Sequence, residues 1–264
     1  MTHASLRRLW VALLPNYVDP IFQAANIAQV CSTAVVIDTL RFTTTACQAL
    51  VLGARSVLVA PTVERAQQLA AEMTPRPLLC GERHCHPIAG FDLGNSPLEL
   101  SRPLVHGRDL LYTTTNGTLA VEAVRQVPHV LLAGLVNRGS TCNYLRGQTS
   151  GDVLLVCAGT DAQITWEDVL TAGAIVDELV QSEDLQIAHD AATLALAAWR
   201  SIQPQTSSAE LLLDRLKNEF ARALGGSNLV ESGYEPDVHF AAQLDSLSCV
   251  AGNSTDQPHR FASV

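Results

Sequence analysis

Residues 35–45 join an apolar run to a carboxylate, a guanidinium and three hydroxyls. Asp38 stands where the apolar run ends, Arg41 follows three positions later, and threonines occupy positions 43–45. A guanidinium can bind a phosphate or sulfonate through two parallel hydrogen bonds. Free amides and hydroxyls at the start of a helix would face the same anion. The segment therefore predicts an anion-binding site at the end of a buried strand.

Segment 110–118 repeats this arrangement, because a short apolar run again breaks into threonines, an asparagine and a glycine before a helical pattern. Simpler structural roles are open for both segments. Asp38 could cap a helix or pair with Arg41, the threonines could only cap a helix, and Asn116–Gly117 could be only a turn.

Two further loops follow apolar runs and carry carboxylates. Loop 80–97 contains the hard oxygen ligands Glu82 and Asp92, and segment 157–168 ends in another pair of acids. Ligands of open α/β sheets bind beyond the carboxyl ends of the strands, where all four loops are predicted to lie. Acidic groups beside anion donors, in a chain whose one lysine is Lys217, favour Mg²⁺ held next to a phosphorylated substrate.

Two motifs and the cysteines have competing interpretations. The tract His84–His86 resembles a transition-metal motif, although neighbours in sequence point in different directions and no second such cluster exists. Residues 225–228 fit a phosphate-binding loop or, more commonly, a helix C-cap and turn. The seven cysteines are odd in number and contain no CxxC pair, so we interpret them as reduced, small hydrophobic residues.

The elements that must position these residues follow from the hydrophobic pattern. Apolar runs of strand length alternate with helical patterns, and this predicts an α/β fold with a mostly parallel sheet and crossover helices. The strand-like runs are 34–37, 56–60, 77–80, 109–112, 129–133 and 152–157. Thr62 and Thr165 are placed to cap helices over 62–72 and 166–180.

We predict three regions along the chain. Residues 1–185 form an α/β core that carries most of the site, and segments 36–60 and 110–133 could be two βαβ-type halves. Residues 186–250 form a helical C-terminal portion that closes on the core, and 251–264 form a polar, frayed tail.

Composition limits the classes of partner. A hydrophobic content of 47% over 264 residues is ample for a core. The net charge of −9 and the lack of a basic run argue against nucleic acid. No apolar run approaches the length of a membrane span, and no cleavage site follows the apolar start, so we expect a cytoplasmic protein. Apolar helices after residue 185 are candidates for a homodimer surface.

Several longer strings resemble the 2-phosphosulfolactate phosphatase family. They are IDTLRFTTT (37–45), GER (81–83), GFDLGNSP (90–97), TTTNGT (113–118), CAG (157–159), WED (166–168) and the G-x-x-x-D that ends at Asp237. The resemblance implies an α/β fold of its own kind and Mg²⁺-dependent hydrolysis of the phosphate monoester of 2-phospho-3-sulfolactate, a step towards coenzyme M.

The resemblance also implies a set of site residues. The catalytic acids would be Asp38, Glu82, Asp92 and Asp168, and the metal ligands Asp38, Glu82, Asp92 and Asp237. Phosphate and sulfonate would be held by Arg41, Thr43, Thr44, Thr45, Arg83, Asn95, Ser96, Thr114, Thr115 and Asn116.

Two alternative functions are weaker. A haloacid-dehalogenase-type phosphatase needs a second acid where Leu40 stands and a lysine nearer than Lys217. A protein that only binds anions gains nothing from four acids around a negative ligand unless a cation lies between them.

Overall fold

The computed structural model describes residues 7–25, 31–148, 150–181, 185–204, 208–254 and 257–264. The strands are β1 Arg7–Ala12, β2 Cys31–Ile37, β3 Ser56–Val59, β4 Leu78–Arg83, β5 His86–Pro87, β6 Asp109–Thr113, β7 His129–Ala133, β8 Asp152–Cys157, β9 Leu185–Ile187, β10 Ala251–Ser254 and β11 Gln257–Ser263. The helices are α1 Val18–Ala25, α2 Phe42–Val51, α3 Val63–Glu72, α4 Arg102–Val105, α5 Gly117–Ala123, α6 Arg138–Gly147, α7 Trp166–Leu179, α8 Asp190–Ser201, α9 Ala209–Arg222, α10 Leu224–Glu231 and α11 Glu235–Ala241.

The predicted α/β fold with a mostly parallel sheet is confirmed. Each strand-like run of the sequence forms a strand, and the predicted helices after Thr62 and Thr165 are α3 and α7. Thr62 caps α3 by accepting a hydrogen bond from the Arg65 amide, whereas Thr165 makes no side-chain cap bond to α7. Among the described helices, none combines the length and the apolar character needed to cross a membrane.

The strands form one eleven-stranded sheet in the order β5-β4-β6-β3-β11-β10-β7-β2-β8-β1-β9. One parallel group contains β7, β2, β8, β1 and β9, and a second contains β4, β6 and β3. The antiparallel hairpin β10–β11 pairs with β7 on one side and with β3 on the other. Along the ladder, the two parallel groups therefore run in opposite directions.

The structure differs from the frayed tail predicted over 251–264, because β10 and β11 join the two parallel groups. Ala251 pairs with Leu132 of β7, and Phe261 pairs with Val57 of β3. Both tail residues are fully buried. The hairpin is held by backbone hydrogen bonds to a neighbouring strand on each side, so it needs few apolar side chains. Its polar composition therefore did not indicate that it forms strands. The other predicted region boundaries stay predictions.

The two segments predicted as βαβ-type halves are also different in the structure. Helix α2 joins β2 to β3, and α5 joins β6 to β7, so each helix carries the chain from one parallel group to the other. Hydrophobic periodicity identifies strands but not their neighbours in a sheet. Both helices therefore start at a point where the strand order switches, which is a common position for ligand sites.

Strand β2 is the central element beneath these crossings, and it is buried on both faces. Ala34 and Val36 pack in a core shared with α2 and α5, while Val35 and Ile37 pack in a core shared with α6, α7 and α8. A third core joins α7 to α9, α10 and α11, and this places the C-terminal helices beside the end of β2.

Candidate active site

A cavity of about 310 Å³ lies at the carboxyl end of β2. Six of the predicted site residues line it, namely Asp38, Arg41, Glu82, Asn95, Thr115 and Asn116. These residues come from both parallel groups. In a flat sheet the strands of the two groups would point in opposite directions, and their carboxyl ends would lie far apart. Sheets twist from strand to strand, and this can bring the carboxyl ends of both groups to one cavity.

Asp38 is the buried carboxylate at the end of the central strand, with 7% of its surface exposed. Its Oδ1 accepts a hydrogen bond from the Phe42 amide at 3.2 Å, so the first turn of α2 orients the carboxylate. A Cβ atom at Gly117 would lie 2.5 Å from the Asp38 Oδ2, so α5 can start here only with glycine. Burial, reinforced by the negative charge of Asp168, raises the pKa of Asp38 well above its ordinary value.

Asp168 lies behind Asp38 and does not line the cavity. Its Oδ1 accepts a hydrogen bond from the Thr39 amide and its Oδ2 accepts one from the Gly159 amide, each at 2.9 Å. Burial raises the pKa of Asp168 to about 6, although these amide bonds oppose the shift. Because it ties the loop after β2 to the loop after β8, Asp168 is a positioning residue rather than a group that touches substrate.

Glu167 is a buried acid that the predicted set omits. It is 2% exposed, and its Oε2 has no hydrogen-bond partner among the described residues. A Cβ atom on Gly225, which lines the cavity, would overlap the Glu167 carboxylate. Burial, followed by the charge of Asp168, raises the pKa of Glu167 to about 8. Acids are common in the first turn of a helix because the helix dipole favours negative charge there. The position of Glu167 in the sequence therefore gave no sign that its side chain is buried.

We expect Glu167→Gln to change how stability depends on pH. Between pH 4.5 and about 8, the folded protein keeps a proton on Glu167 that the unfolded chain has lost, so stability falls as pH rises through this window. The expected slope is roughly 1.4 kcal/mol per pH unit in the free energy of unfolding. The glutamine variant should lose this part of the slope, which urea unfolding at several pH values would measure.

The matched control is Glu210→Gln, since Glu210 is an exposed acid in the first turn of α9. This control should keep the pH slope of the original protein. Equal slopes for the original protein and Glu167→Gln would show that Glu167 is ionised in the folded state.

Glu82 joins the two sides of the cavity. Its Oε1 accepts hydrogen bonds from the amide and the hydroxyl of Thr115, at 2.9 and 3.0 Å. Its Oε2 accepts a bond from the Cys85 amide at 3.1 Å. The carboxylate thus links the turn after β4 to the start of α5, and it faces the same cavity as Asp38.

The two terminal nitrogens of Arg41, predicted to bind an anion, both contact other groups of the protein. Nη1 forms a buried ion pair with Asp237 at 2.7 Å, and Nη2 donates to the Cys85 carbonyl at 2.8 Å. The guanidinium also stacks 4.3 Å from the centre of the Tyr234 ring. Since a guanidinium has five N–H donors, Arg41 can still donate into the cavity that it lines.

The metal-ligand prediction for Asp237 does not match its contacts. Both carboxylate oxygens are used, because Oδ2 pairs with Arg41 and Oδ1 accepts a hydrogen bond from Ser96 at 2.7 Å. Asp237 is 2% exposed and does not line the cavity. Ser96, predicted to bind substrate, instead helps to hold Asp237.

The three threonines predicted to bind anions instead donate to backbone carbonyls around the start of α2. All three are fully buried. Thr43 donates to the carbonyl of Ala133, Thr44 to the carbonyl of Thr39, and Thr45 to the carbonyl of Asn95. A hydroxyl in the first turn of a helix often bonds a nearby carbonyl, so the sequence pattern alone could not separate these roles.

Asp92 lies outside the cavity as well, contrary to its prediction as a catalytic acid and metal ligand. It is exposed, pairs with Arg76 at 2.9 Å and accepts a hydrogen bond from the Leu79 amide. These contacts fasten the long loop after β4 to the sheet.

Arg83 and Thr114 also bind protein groups rather than lining the cavity. Arg83 donates to the Thr113 hydroxyl at 3.1 Å, and the Thr114 hydroxyl accepts a bond from the Thr118 amide at 3.3 Å. Asn95 does line the cavity, and its buried Oδ1 has no hydrogen-bond partner among the described residues.

Comparison with known sequences identifies the family of the chain. A model of the family described as 2-phosphosulpholactate phosphatase matches residues 21–254. The chain belongs to the 2-phosphosulfolactate phosphatase family. The probable 2-phosphosulfolactate phosphatase of Deinococcus radiodurans is 38% identical over 90% of each chain. Those of Thermotoga petrophila and Symbiobacterium thermophilum are each 37% identical, over 83% and 81% of this chain and 88% of each relative.

This member of the 2-phosphosulfolactate phosphatase family presents an acidic cavity. Four carboxylates line it, from Asp38, Glu82, Asp161 and Glu231. Among the described residues, no three His, Cys, Asp or Glu side chains are grouped closely enough to hold a metal ion by themselves. Mg²⁺ is commonly held by one or two carboxylates together with substrate phosphate and water, and Asp38 and Glu82 fit that donor set.

Residues 225–228 form neither a turn nor a separate phosphate loop. They lie in the first turns of α10, where Gly225 and Asn228 line the cavity. Glycine at 225 leaves the space that the Glu167 carboxylate fills, so the helix packs directly against α7.

Proposed function

We propose that this protein is a Mg²⁺-dependent phosphoric monoester hydrolase that converts 2-phospho-3-sulfolactate to sulfolactate and phosphate. The observation that carries the proposal is the pair Asp38 and Glu82, which line one cavity. Asp38 stands where the chain leaves β2 for the α2 crossing, and Glu82, in β4, accepts hydrogen bonds from Thr115 just before the α5 crossing. Asn95, Asn116 and Arg41, which can donate hydrogen bonds, line the same cavity. Membership of the family supports the choice of substrate, as do the names of the curated relatives.

The donor set supports Mg²⁺ as the cofactor. Asp38 and Glu82 would hold the ion, since an acidic cavity repels a phosphate ester unless a cation lies between them. When bound, Mg²⁺ neutralises charge on the phosphoryl oxygens and makes phosphorus more electrophilic.

The remaining cavity side chains would position the ester. The side-chain amides of Asn95 and Asn116 would donate to phosphoryl oxygens, and Arg41 would add positive charge. Water attacks phosphorus and the ester P–O bond breaks. A cavity carboxylate would accept the proton that water loses, and the leaving alkoxide would take a proton back from that carboxyl group, directly or through water, to become the hydroxyl of sulfolactate.

The setting of the reaction is a proposal of the same kind. Hydrolysis of this ester is a step towards coenzyme M in the family that the chain resembles, and a cytoplasmic location suits such a step. An alternative substrate is another phosphorylated 2-hydroxy acid. Asp161 and Glu231, at the exposed end of the cavity, do not by themselves select the part of the substrate that lies beyond the phosphoryl group.

Phosphate release tests the proposal directly. We expect release from 2-phospho-3-sulfolactate with Mg²⁺, loss of release after EDTA treatment, and recovery when Mg²⁺ is restored in excess. A panel of other 2-phospho-carboxylic acids would show which ester is preferred. The absence of release from every ester would contradict the hydrolase proposal and favour a protein that only binds anions.

Calorimetric titration of Mg²⁺ into the protein is the control that does not depend on turnover. Binding that is lost in Glu82→Gln but kept in Asp92→Asn would support the proposed donor set. Equal binding by both variants would contradict it.

A further inference from the structure

We propose that His84 determines specificity by binding the sulfonate of the substrate at the exposed end of the cavity. This inference rests on the proposed function, since it assumes that the phosphoryl group lies at the buried end beside Asp38. The exposed end is formed by His84, Asp161 and Glu231, whose side chains line the cavity and are exposed to solvent.

The charges of the cavity single out His84. Four carboxylates line it, and the one guanidinium there, that of Arg41, is already paired with the buried Asp237. Among the described residues, the His84 side chain has no hydrogen-bond or ion-pair partner. Because Asp161 and Glu231 repel an anion, a sulfonate at this end needs a hydrogen-bond donor. His84 is the one exposed side chain among the described lining residues that can donate.

Contacts of the neighbouring Cys85 hold the backbone of the turn that carries His84. His84 and Cys85 both have left-handed backbone, with φ of 51° and 68°, at the turn between β4 and β5. Glu82 accepts a hydrogen bond from the Cys85 amide, and Arg41 donates to the Cys85 carbonyl. Because both sides of this peptide segment are tied to cavity residues, the turn presents His84 in a pre-organised position.

The chemistry of the proposed substrate indicates which of its anionic groups His84 would bind. The phosphate and the carboxylate are attached to the same carbon, so a carboxylate must stay close to the phosphoryl end. The sulfonate is one carbon further away and is the anionic group able to reach the exposed end. Binding by a hydrogen bond to a charged group contributes about 1.5 kcal/mol or more, which corresponds to about tenfold in affinity.

The test compares two esters, 2-phospho-3-sulfolactate and 2-phospholactate, which lacks the sulfonate. His84→Ala should raise KM about tenfold for the sulfonate ester, leave kcat unchanged, and leave KM for 2-phospholactate unchanged. His84→Arg should restore the low KM. His84→Gly, which relieves the left-handed backbone instead of straining it, should behave as the alanine variant does.

The matched control is His86→Ala, because His86 is exposed on the same hairpin and does not line the cavity. Calorimetric binding of sulfolactate to the Mg²⁺-loaded protein gives a second readout that needs no turnover, and it separates failure of this inference from failure of the proposed function. Unchanged affinity in His84→Ala, equal effects on both esters, or an equal effect of His86→Ala would overturn the role of His84.

Discussion

Replacement of Asp38 by asparagine is expected to lower the rate of phosphate release about a thousandfold, while the protein stays folded. Asparagine keeps the shape of the side chain and an oxygen that can accept the Phe42 amide bond. It removes the negative charge that would hold Mg²⁺ beside the phosphoryl group. Burial, together with the charge of Asp168, raises the pKa of Asp38 well above its ordinary value, so a neutral asparagine resembles the protonated carboxyl and should not reduce stability.

The measurement is kcat with saturating Mg²⁺, together with thermal unfolding of the same samples. Asp92→Asn is the matched control, since Asp92 comes from the same predicted set but pairs with Arg76 on the surface. The control should keep nearly full activity and lose less than about 1 kcal/mol of stability. An active Asp38→Asn, or an inactive and well-folded Asp92→Asn, would contradict the site described above.

Replacement of Asp237 by alanine should have the largest effect on stability. The change leaves the buried Arg41 guanidinium without its ion-pair partner, and such losses cost about 3–5 kcal/mol. Arg41 also holds the Cys85 carbonyl, so the turn that carries His84 should loosen and KM should rise. We expect a fall in the unfolding temperature of about 10 °C.

Asp214→Ala is the control for this change, because Asp214 is 63% exposed and its 3.7 Å pairing with Lys217 lies on the surface. This exposed pair should contribute less than about 1 kcal/mol. Thermal unfolding and Mg²⁺ titration of both variants separate the two roles considered for Asp237. Unchanged stability with lost Mg²⁺ affinity would make Asp237 a metal ligand after all.

Local patterns in the sequence were enough to identify the elements and part of the site. Apolar runs marked the central strands because a strand buried on both faces is mostly apolar, as β2 is over residues 34–37. The motifs that follow those strands supplied Asp38, Glu82, Asn95, Thr115 and Asn116, all of which line the cavity. Loops at strand ends can be recognised locally, since the change from apolar to polar residues is itself the signal.

The partners of the other candidates could not be derived in this way. Asp237 is an acid in the right motif, yet it lies 196 positions from the Arg41 that it neutralises. Asp92 belongs to the same string as Asn95, yet it faces Arg76 instead of the cavity. Motif membership shows that a residue matters to the site but not whether it contacts ligand or supports a group that does.

By itself, the sequence determined the α/β class, the family and the strand ends that carry chemistry, because each of these depends on residues close together along the chain. The tertiary structure decided that the polar C-terminal segment lies at the centre of the sheet, between β7 and β3. It also decided that Glu167 is buried next to Gly225, and that Arg41 is held by Asp237. Strand neighbours, burial and charge partners depend on contacts between distant segments, and these exist only once the chain has folded.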